Sequence, residues 1–212
     1  MTGTLSLGLQ QANLPEVFSA VYERNVWQRS DTSGPGSSVE ATVAYRQYLQ
    51  EVMRRKRVKK VLDLGCGLWE HLAAVNWTGI EYLGVDPVPS VIARNMTNHQ
   101  TPQRRFMAGQ VEDVPDLASF DLVIIKDVLQ HLPNTMILNI LSRLRVTRRM
   151  LITNDLNHRK FNEDCQVGGW RMLDLERAPF NLVPVEIFDF KSSPFAKRAL
   201  LVQNGADVSG PA

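Results

Sequence analysis

Two stretches of the sequence decide the fold: VLDLGCG at residues 61–67 and YLGVDP at residues 82–87. The first has the pattern of a buried strand that ends in a turn containing Gly65 and Gly67. Glycine at such a turn permits positive φ and the close approach of a ligand to the backbone. The second stretch reads as another strand, with Asp86 at its tip. Because open α/β sheets bind ligands beyond the carboxyl ends of their strands, we expect both tips to lie at one functional edge.

Strand-like and helix-like stretches alternate along most of the remaining chain. This alternation indicates an α/β fold, a doubly wound α/β/α sandwich around a mostly parallel sheet. The last two strand-like runs are separated by KSSP, which is too short for a helix, so they predict an antiparallel hairpin. The sheet is thus predicted to have seven strands, mostly parallel, with an antiparallel last strand. The predicted strands cover 59–64, 81–85, 103–107, 120–125, 147–153, 183–190 and 196–203, and the predicted helices lie near 69–76, 88–97 and 134–146.

The residues before the first strand predict a separate helical segment. Leu14 to Val26 and Val39 to Arg55 have helical patterns, with Ser38 as the N-cap of the second. Between them, SDTSGPGSS at 30–38 is rich in turn-forming residues. We expect three parts of the chain: a helical lid or substrate-recognition segment at 1–57, a main domain at 58–203 with an insertion at 161–182, and a flexible tail at 204–212.

Composition excludes several classes of protein. The 212 residues include 24 Lys and Arg against 22 Asp and Glu, a net charge of +2, and 44% are hydrophobic, so wholesale disorder is not expected. Apolar runs such as Leu122 to Ile125 are far shorter than the roughly 20 residues that span a bilayer, and the start lacks the basic region of a secretory signal. Cys66 and Cys165 form no CxxC pair, which argues against a disulfide framework or structural zinc. We expect a reduced, cytoplasmic protein with no membrane partner.

Asp63 and Asp86 indicate which ligand the turn would hold. Asp86 follows Asp63 by 23 residues (86 − 63), and a carboxylate at a strand tip can accept hydrogen bonds from both hydroxyls of a ribose. A nicotinamide dinucleotide would need the fingerprint G-x-G-x-x-G, but Glu70 occupies the third glycine position. Asp63 would also repel a pyrophosphate, whereas it can pair with a cationic ligand. A plain tight turn between strand and helix is the structural alternative.

The chain resembles the class I S-adenosylmethionine (SAM)-dependent methyltransferases over roughly residues 58–153. VLDLGCG is similar to the first motif of that family and YLGVDP to its second, although Trp69 stands where the first motif often has a small residue. FMAGQVEDVP at 106–115 is similar to the third motif, and FDLVIIKDVLQHLPN at 120–134 to the fourth strand and the loop after it. The resemblance implies methyl transfer, with SAM as cofactor and S-adenosylhomocysteine (SAH) as product.

The resemblance also implies a set of cofactor contacts. Asp63 would lie near the methionine amino group, the backbone of Gly65 and Gly67 would pass against the cofactor, and Asp86 would hold the ribose. Gln110 stands where the family often has an acid, and its amide oxygen can still accept from an adenine amine. The implied cofactor-binding residues are Asp63, Gly65, Cys66, Gly67, Asp86, Pro87, Gln110, Val111, Glu112 and Lys126, with Val111 and Glu112 beside the adenine and with Lys126 and Asp127 in the loop under the sulfonium.

His131 is the leading candidate for a general base. It lies five residues after Lys126, beyond the fourth strand, and the unperturbed pKa of histidine suits proton transfer near neutrality. A base is useful when the methyl acceptor is a hydroxyl. Asp127, in the same loop, is the second candidate catalytic residue. The alternative for His131 is a structural histidine packed among its apolar neighbours.

Asn154 and Asp155 follow the fifth strand at the same edge of the sheet. Their side chains could orient a polyhydroxylated substrate by hydrogen bonding. Together with Asp127 they could instead hold a divalent cation through oxygen ligands, although we predict no metal. A simple turn is the third interpretation, because Asn and Asp favour turns.

The insertion at 161–182 is too long for a simple connection, and long segments at this edge are usually functional. It offers Gly168 and Gly169 as a hinge, followed by Trp170 and Arg171, which can stack on a ring and bind a polar group. Trp27, near the turn-rich stretch, is a further candidate substrate contact. The alternative is that these aromatic residues only anchor a lid to the core.

Two basic runs, at 54–60 and 143–149, precede strands and so lie away from the functional edge. They lack the interleaved aromatic residues of single-strand binders, which argues against a nucleic-acid partner. The groups identified in the cleft are largely acids and amides, which favours a neutral polar acceptor. We predict O-methylation of a small molecule such as a sugar or natural-product intermediate, with the oligomeric state left open. The alternatives are a protein or RNA methyltransferase of the same fold and a non-catalytic SAM-binding module.

Overall fold

The computed structural model describes residues 13–27, 33–159, 161–192 and 195–204. Within them, seven strands form one sheet in the order β3-β2-β1-β4-β5-β7-β6. The predicted tail at 204–212 lies outside the described residues beyond Asn204. The strands are β1 (Lys60–Leu64), β2 (Glu81–Asp86), β3 (Arg104–Ala108), β4 (Leu122–Lys126), β5 (Arg149–Asp155), β6 (Glu186–Lys191) and β7 (Ala196–Gln203).

The strand order defines the functional edge of the sheet. The chain adds β2 and β3 on one side of β1 and then crosses back to add β4 on the other side. β1 pairs in parallel with β2 on one side and with β4 on the other, so a crevice opens between the carboxyl ends of β1 and β4. β7 is antiparallel to both β5 and β6. The predicted fold class is therefore confirmed, including the hairpin formed by the last two strands.

Four α-helices belong to the described residues: α1 (Leu14–Glu23), α2 (Val43–Arg55), α3 (Pro89–His99) and α4 (Asn134–Arg143). α2 begins four residues later than predicted, because the Ser38 hydroxyl accepts a hydrogen bond from the Ala41 amide within a preceding turn. Ser38 therefore does not cap α2. None of the helices in these ranges has the length and apolar character needed to cross a membrane.

The helix predicted near 69–76 is wrong. Only a single 3-10 turn, Leu72–Ala74, forms there. Trp69 has a left-handed backbone with φ of 66° and is almost fully buried, with its ring edge-on to those of Tyr82 and Phe106. Packing of this aromatic ring against β2 and β3 outweighs the local helical pattern, since helical propensity is a weak determinant compared with tertiary contacts.

The core lies on both faces of the sheet, as the two-residue period of a strand requires. On one face, Leu62 of β1 packs in a cluster with α4 and with Phe180 of the insertion. On the other face, Val61 packs in a cluster with Tyr45 and Leu49 of α2. The chain between β5 and β6, from 156 to 185, is thus anchored to the core, although its described residues form neither an α-helix nor a strand.

Candidate active site

A cavity of about 630 Å³ opens at the carboxyl ends of β1, β2, β4 and β5. Its wall is completed by residues before α2 and by the insertion between β5 and β6. Twelve of the residues singled out from the sequence line this cavity: Trp27, Asp63, Gly65, Cys66, Gly67, Asp86, Pro87, Lys126, Asp127, His131, Asp155 and Trp170.

The turn after β1 depends on its two glycines. Gly65 and Gly67 have φ of 74° and 54°, values that other residues adopt only with strain. A Cβ atom on Gly65 would lie 2.4 Å from Val128 Cγ2, and one on Gly67 would lie 2.2 Å from Ser33 Oγ. The bare backbone at both positions is therefore required by conformation and by space, and it forms one wall of the cavity.

Asp63 is a buried carboxylate at the base of the cavity. Its Oδ2 atom accepts a 2.6 Å hydrogen bond from the Tyr82 hydroxyl of the neighbouring strand. Burial raises the pKa of Asp63 to about 7, despite the opposing effect of that hydrogen bond. A carboxylate in this setting is stabilised by a cation, so the position suits the ammonium group of an amino-acid ligand.

Asp86, at the tip of β2, is fixed by backbone donors. Its two carboxylate oxygens accept 3.0 Å hydrogen bonds from the amides of Gly67 and Val88. Burial raises the pKa of Asp86 to about 6, and the two amide hydrogen bonds oppose that rise. The remaining lone pairs of the carboxylate can accept from two further donors, which fits the ribose diol of SAM.

A smaller apolar pocket of about 90 Å³ adjoins the cavity through Gly65 and Pro87. Gln110, Val111 and Glu112 line it, as the resemblance implies for an adenine site. The Glu112 carboxylate is engaged elsewhere, since it accepts from Asn139 at 2.9 Å and from Arg143 at 3.2 Å. The Gln110 side chain takes part in a capping box with Asp113. The walls that remain to contact a flat base are mostly apolar and come from Leu14, Phe18, Leu64, Val85, Val111, Val128, Met136 and Ile140.

Four charged side chains that line the cavity form a network, the floor of the cavity: Lys126, Asp127, Asp155 and Lys197. The Lys126 ammonium donates to Asp127 Oδ2 at 2.6 Å and to the Gly36 carbonyl at 2.8 Å. The Lys197 ammonium donates to Asp127 Oδ1 at 2.8 Å and to Asp155 Oδ1 at 2.5 Å. Two cations thus balance two carboxylates. The expectation of a cleft of mainly acids and amides is corrected by these buried lysines.

The network fixes the protonation of its members. Burial raises the pKa of Asp127, but Lys126 and Lys197 outweigh that effect and lower it to about 2. Burial likewise lowers the pKa of Lys197, but Asp127 and Asp155 raise it above its ordinary value. Asp127 is therefore ionised and Lys197 charged near neutral pH. Asp127, predicted as a catalytic residue, is positioned to hold the lysines rather than to accept a proton.

His131 lies in a 3-10 turn after β4 and lines the cavity. Its Nδ1 atom is 2.7 Å from the Gly169 carbonyl oxygen. A carbonyl oxygen can only accept, so Nδ1 carries the hydrogen and Nε2 keeps the lone pair of the neutral ring. Burial lowers the pKa of His131, which favours that neutral form. The Trp27 ring lies 5.7 Å from the imidazole, measured between centroids.

The insertion contributes Trp170 to the cavity. Its indole Nε1 donates to Asp155 Oδ2 at 2.9 Å, and the same oxygen accepts from the Gln130 amide at 3.2 Å. The Trp170 ring stacks on Phe195 with centroids 5.0 Å apart and planes at 25°. The hydrogen bond and the stack together fix the orientation of an indole that is 46% exposed.

Two candidate substrate residues lie outside the cavity. Asn154 precedes Asp155 in β5 and so faces the opposite side of the sheet, where it is buried. The Arg171 guanidinium is buried against Cys165, with Nη1 2.6 Å from Sγ, and donates to Asn134 Oδ1 at 2.9 Å. Because Asn154 and Asp155 point apart, the three oxygen ligands considered for a cation do not come together. Within the described ranges, no cluster of three His, Cys, Asp or Glu side chains could hold a metal ion.

Residues 33–37, before α2, line the cavity and make polar contacts with its other walls. The Ser33 hydroxyl accepts from the Leu68 amide and from the Tyr22 hydroxyl, both at 2.8 Å. Gly36 lies against Lys197 and Asp127: a Cβ atom there would be 3.1 Å from Lys197 Nζ. The residues of this segment described by the structure therefore contact both the glycine turn and the charged network.

Sequence reasoning missed several lining residues, among them Lys197, Gln130, His71 and Phe195. The sequence shows that Lys197 interrupts the apolar pattern of β7, whereas its pairing in register with Asp155 is seen only in the structure. His71 follows the glycine turn and is buried beside Tyr45, with the ring centroids 6.2 Å apart. Burial lowers the pKa of His71 well below its ordinary value.

The sheet with its antiparallel β7 and its glycine turn has the architecture of the class I, Rossmann-like methyltransferases. Residues 61–149 match a family described as a methyltransferase domain, and the chain has the fold of the class I, SAM-dependent methyltransferases. No curated protein matches the chain at a significant level.

Solved structures agree with this fold. A Burkholderia thailandensis 1,6-didemethyltoxoflavin-N1-methyltransferase is 19% identical, with a TM-score of 0.67 over 92% of this chain and 88% of that one. The magnesium protoporphyrin IX methyltransferase of Synechocystis PCC 6803 is 17% identical, with a TM-score of 0.62 over 91% and 97% of the two chains. The mitomycin 7-O-methyltransferase is 16% identical, with a TM-score of 0.59 over 77% and 54%.

Proposed function

We propose that SAM lies across the glycine turn with its methionine end at Asp63 and its ribose at Asp86. The adenine then occupies the apolar pocket beside Val111, and Glu112 stays with its partners on α4. This orientation is supported by the order of the groups along the crevice and by the raised pKa values of the two buried carboxyls. The segment around Ser33 and Gly36 acts as a lid that excludes water.

We further propose that the acceptor is a small polar molecule methylated on a hydroxyl, such as a sugar or a natural-product intermediate. The observation that carries this proposal is the hydrogen bond from His131 Nδ1 to Gly169, because it leaves the Nε2 lone pair available for a hydroxyl proton. The 1,6-didemethyltoxoflavin and magnesium protoporphyrin IX methyltransferases, which have a similar fold, support a small acceptor. The first of these enzymes is an N1-methyltransferase and the mitomycin enzyme is a 7-O-methyltransferase, so the hydroxyl rests on His131 alone.

The chemistry divides between cofactor and protein. SAM, when bound, supplies a methyl group whose bond to sulfur breaks, with the electron pair kept on sulfur, as the acceptor oxygen bonds to the methyl carbon. His131 takes the hydroxyl proton at Nε2. Lys126 and Asp127 brace the lid, because Lys126 also donates to the Gly36 carbonyl. Trp170 and Trp27 line the acceptor end. Alignment and exclusion of water account for the remaining rate enhancement.

A screen with methyl-labelled SAM tests the proposal. Hydroxylated sugars, phenols, peptides and RNA are incubated with the protein, with and without chelator, and the label is followed into each acceptor. Incorporation into a small hydroxyl compound, lost in His131→Ala, is the expected result. Labelling of peptide or RNA alone would replace the proposal with the corresponding macromolecular activity. Calorimetric binding of SAM without transfer to any acceptor would favour a binding module.

A further inference from the structure

Lys197 is a buried cation placed at the acceptor end of the cavity. It is 4% exposed and lies on β7, directly across from Asp155 in the ladder. Its ammonium donates to one oxygen each of Asp127 and Asp155. These contacts take two of its three hydrogens. The side chain also lines the cavity together with His131.

We propose that Lys197 is a second catalytic residue, which donates its remaining hydrogen to the acceptor oxygen, and that the acceptor is a planar ring bearing an acidic hydroxyl, such as a phenol or an enol. This inference rests on the proposed O-methylation and narrows its substrate class. During transfer the hydroxyl proton passes to His131 Nε2. Lys197 keeps its own proton and stabilises the negative charge that develops on the oxygen.

The charge of Lys197 is secured by its partners. Asp127 and Asp155 hold the Lys197 ammonium in its charged form. The second carboxylate oxygen of Asp127 accepts a hydrogen bond from the Lys126 ammonium. The floor of the cavity is thus close to neutral, so an oxygen that becomes anionic beside Lys197 meets no unpaired carboxylate. Gln130 and Trp170 donate to the other oxygen of Asp155, so both oxygens of that carboxylate have hydrogen-bond donors.

The pKa of His131 determines how acidic the acceptor hydroxyl must be for this base to take its proton. Burial lowers the pKa of His131, and Lys197 lowers it further, whereas the Gly169 carbonyl, Asp127 and Asp155 act in the opposite direction. A base weaker than ordinary histidine is poorly matched to a sugar hydroxyl. It is better matched to a phenolic hydroxyl, whose ordinary pKa of about 10 the adjacent ammonium would lower further.

The shape of the acceptor follows from the aromatic side chains that line the cavity. Trp27 lies next to the His131 ring, and Trp170 stacks on Phe195. All four of these rings line the cavity. Because Asp155 fixes the Trp170 indole, the wall is preformed rather than adaptable. Flat aromatic surfaces favour a ring that can stack against them.

A chromogenic phenol tests the inference by binding and ionisation rather than by turnover. SAH-loaded protein is titrated with 4-nitrophenol, whose phenolate absorbs visible light, and pH is varied to obtain the pKa of the bound probe. We expect that pKa to fall by about one unit, a tenfold shift in ionisation, in the wild type and in Lys197→Arg. In Lys197→Met the shift should vanish. Lys60→Met is the control, because Lys60 lies at the opposite edge of the sheet and donates to Ser119.

Outcomes separate this inference from the proposed function. Failure of SAH itself to bind, measured by calorimetry, would overturn the cofactor site. Normal SAH binding with no binding of 4-nitrophenol, or with an unchanged or raised pKa of the bound probe, would overturn the inference. If Lys197→Met does not fold, 4-nitroanisole, which lacks the hydroxyl, gives the comparison in the wild type. It should bind at least tenfold more weakly than 4-nitrophenol, and equal binding would contradict a role for the oxygen.

Discussion

The Tyr82 hydroxyl donates a 2.6 Å hydrogen bond to Asp63 across two neighbouring strands, within an almost fully buried part of the sheet. This bond holds the carboxylate in place at the base of the cavity. The hydrogen bond lowers the pKa of Asp63 less than burial raises it, so the pKa remains raised to about 7. The protein therefore maintains a destabilising group at the point where we propose that the methionine ammonium binds, as is common for functional sites.

Replacing Asp63 with asparagine should stabilise the ligand-free protein and weaken SAM binding. The raised pKa means that the acid form favours folding: this contribution is complete below the unfolded pKa of about 4 and is lost as pH rises through about 7. The asparagine side chain would have no charge to bury, and its amide oxygen could still accept from Tyr82. We expect the melting temperature at pH 8.5 to rise by on the order of 5 °C, with a gain that fades toward pH 4. An equal rise in melting temperature at all pH values would contradict the link between the Asp63 pKa and stability. Unchanged SAM affinity would show that Asp63 does not bind the cofactor.

Asp86→Ala should abolish measurable SAM binding, because the acceptor for the ribose hydroxyls is lost together with the bonds to the Gly67 and Val88 amides. In the wild type, the pKa of Asp86 of about 6 predicts a pH dependence. Affinity should be constant above pH 7 and should fall by roughly tenfold at pH 5, since the protonated carboxyl loses acceptor capacity. Calorimetry at both pH values measures this, and wild-type affinity in Asp86→Ala would remove Asp86 from the site.

Gly67→Ala and Gly79→Ala form a matched pair. Both glycines have positive φ, 54° and 72°, so alanine brings a similar backbone strain at either position. Only at Gly67 would the new Cβ meet another group, the Ser33 hydroxyl at 2.2 Å, whereas nothing lies within 4 Å at Gly79. We expect both variants to lose stability through backbone strain, Gly67→Ala the more because of the clash, and only Gly67→Ala to lose SAM affinity, by tenfold or more. Equal affinities would show that lid contact at Gly67 is dispensable.

Much of the cofactor side of the cavity was predictable because it is local in the sequence. Gly65, Gly67 and Asp86 stand at the ends of strands that are recognisable by their own pattern, and the parallel sheet then brings them together. The face of the sheet to which the Asn154 side chain points was also predictable. A strand alternates its side chains, so Asn154 and Asp155 could not both face the same ligand.

The acceptor side was less predictable because it depends on register and on long-range packing. Lys197 reaches Asp155 only through the pairing of β5 with β7, and register in a hairpin is fixed by the whole turn and the buried face. Long-range packing also limits prediction at Trp69. The local sequence pattern predicted a helix there, but burial of the Trp69 ring against Tyr82 and Phe106 outweighs that pattern. Arg171 likewise contacts Cys165 of the insertion and Asn134 of α4, a role that its neighbour Trp170 does not share.

His131→Ala should reduce turnover of an identified acceptor by about 10² to 10⁴-fold with little change in SAM affinity, because the ring takes a proton but lies outside the proposed cofactor contacts. The lowered pKa of His131 also predicts that the rate rises with pH below about 6.5 and is level at neutrality. His158→Ala is the control, since His158 is exposed. Stopped assays at saturating SAM measure the effect. Equal rates in the wild type and His131→Ala would assign the histidine a structural role.

Divalent cations should have no effect on the wild type, because an ammonium already occupies the position between the two carboxylates. Lys197 Nζ lies 2.8 Å from Asp127 Oδ1 and 2.5 Å from Asp155 Oδ1, so a cation would have to displace a charged, buried lysine. Lys197→Met leaves Asp155 without its cation and Asp127 with Lys126 alone, and it should create the sensitivity that the wild type lacks. We expect millimolar Mg²⁺ or Ca²⁺ to raise the melting temperature of Lys197→Met by about 2–4 °C, and EDTA to reverse the rise. A wild type that loses turnover in EDTA, or a Lys197→Met variant indifferent to both cations, would show that Asp127 and Asp155 are not held by Lys197 as the structure indicates.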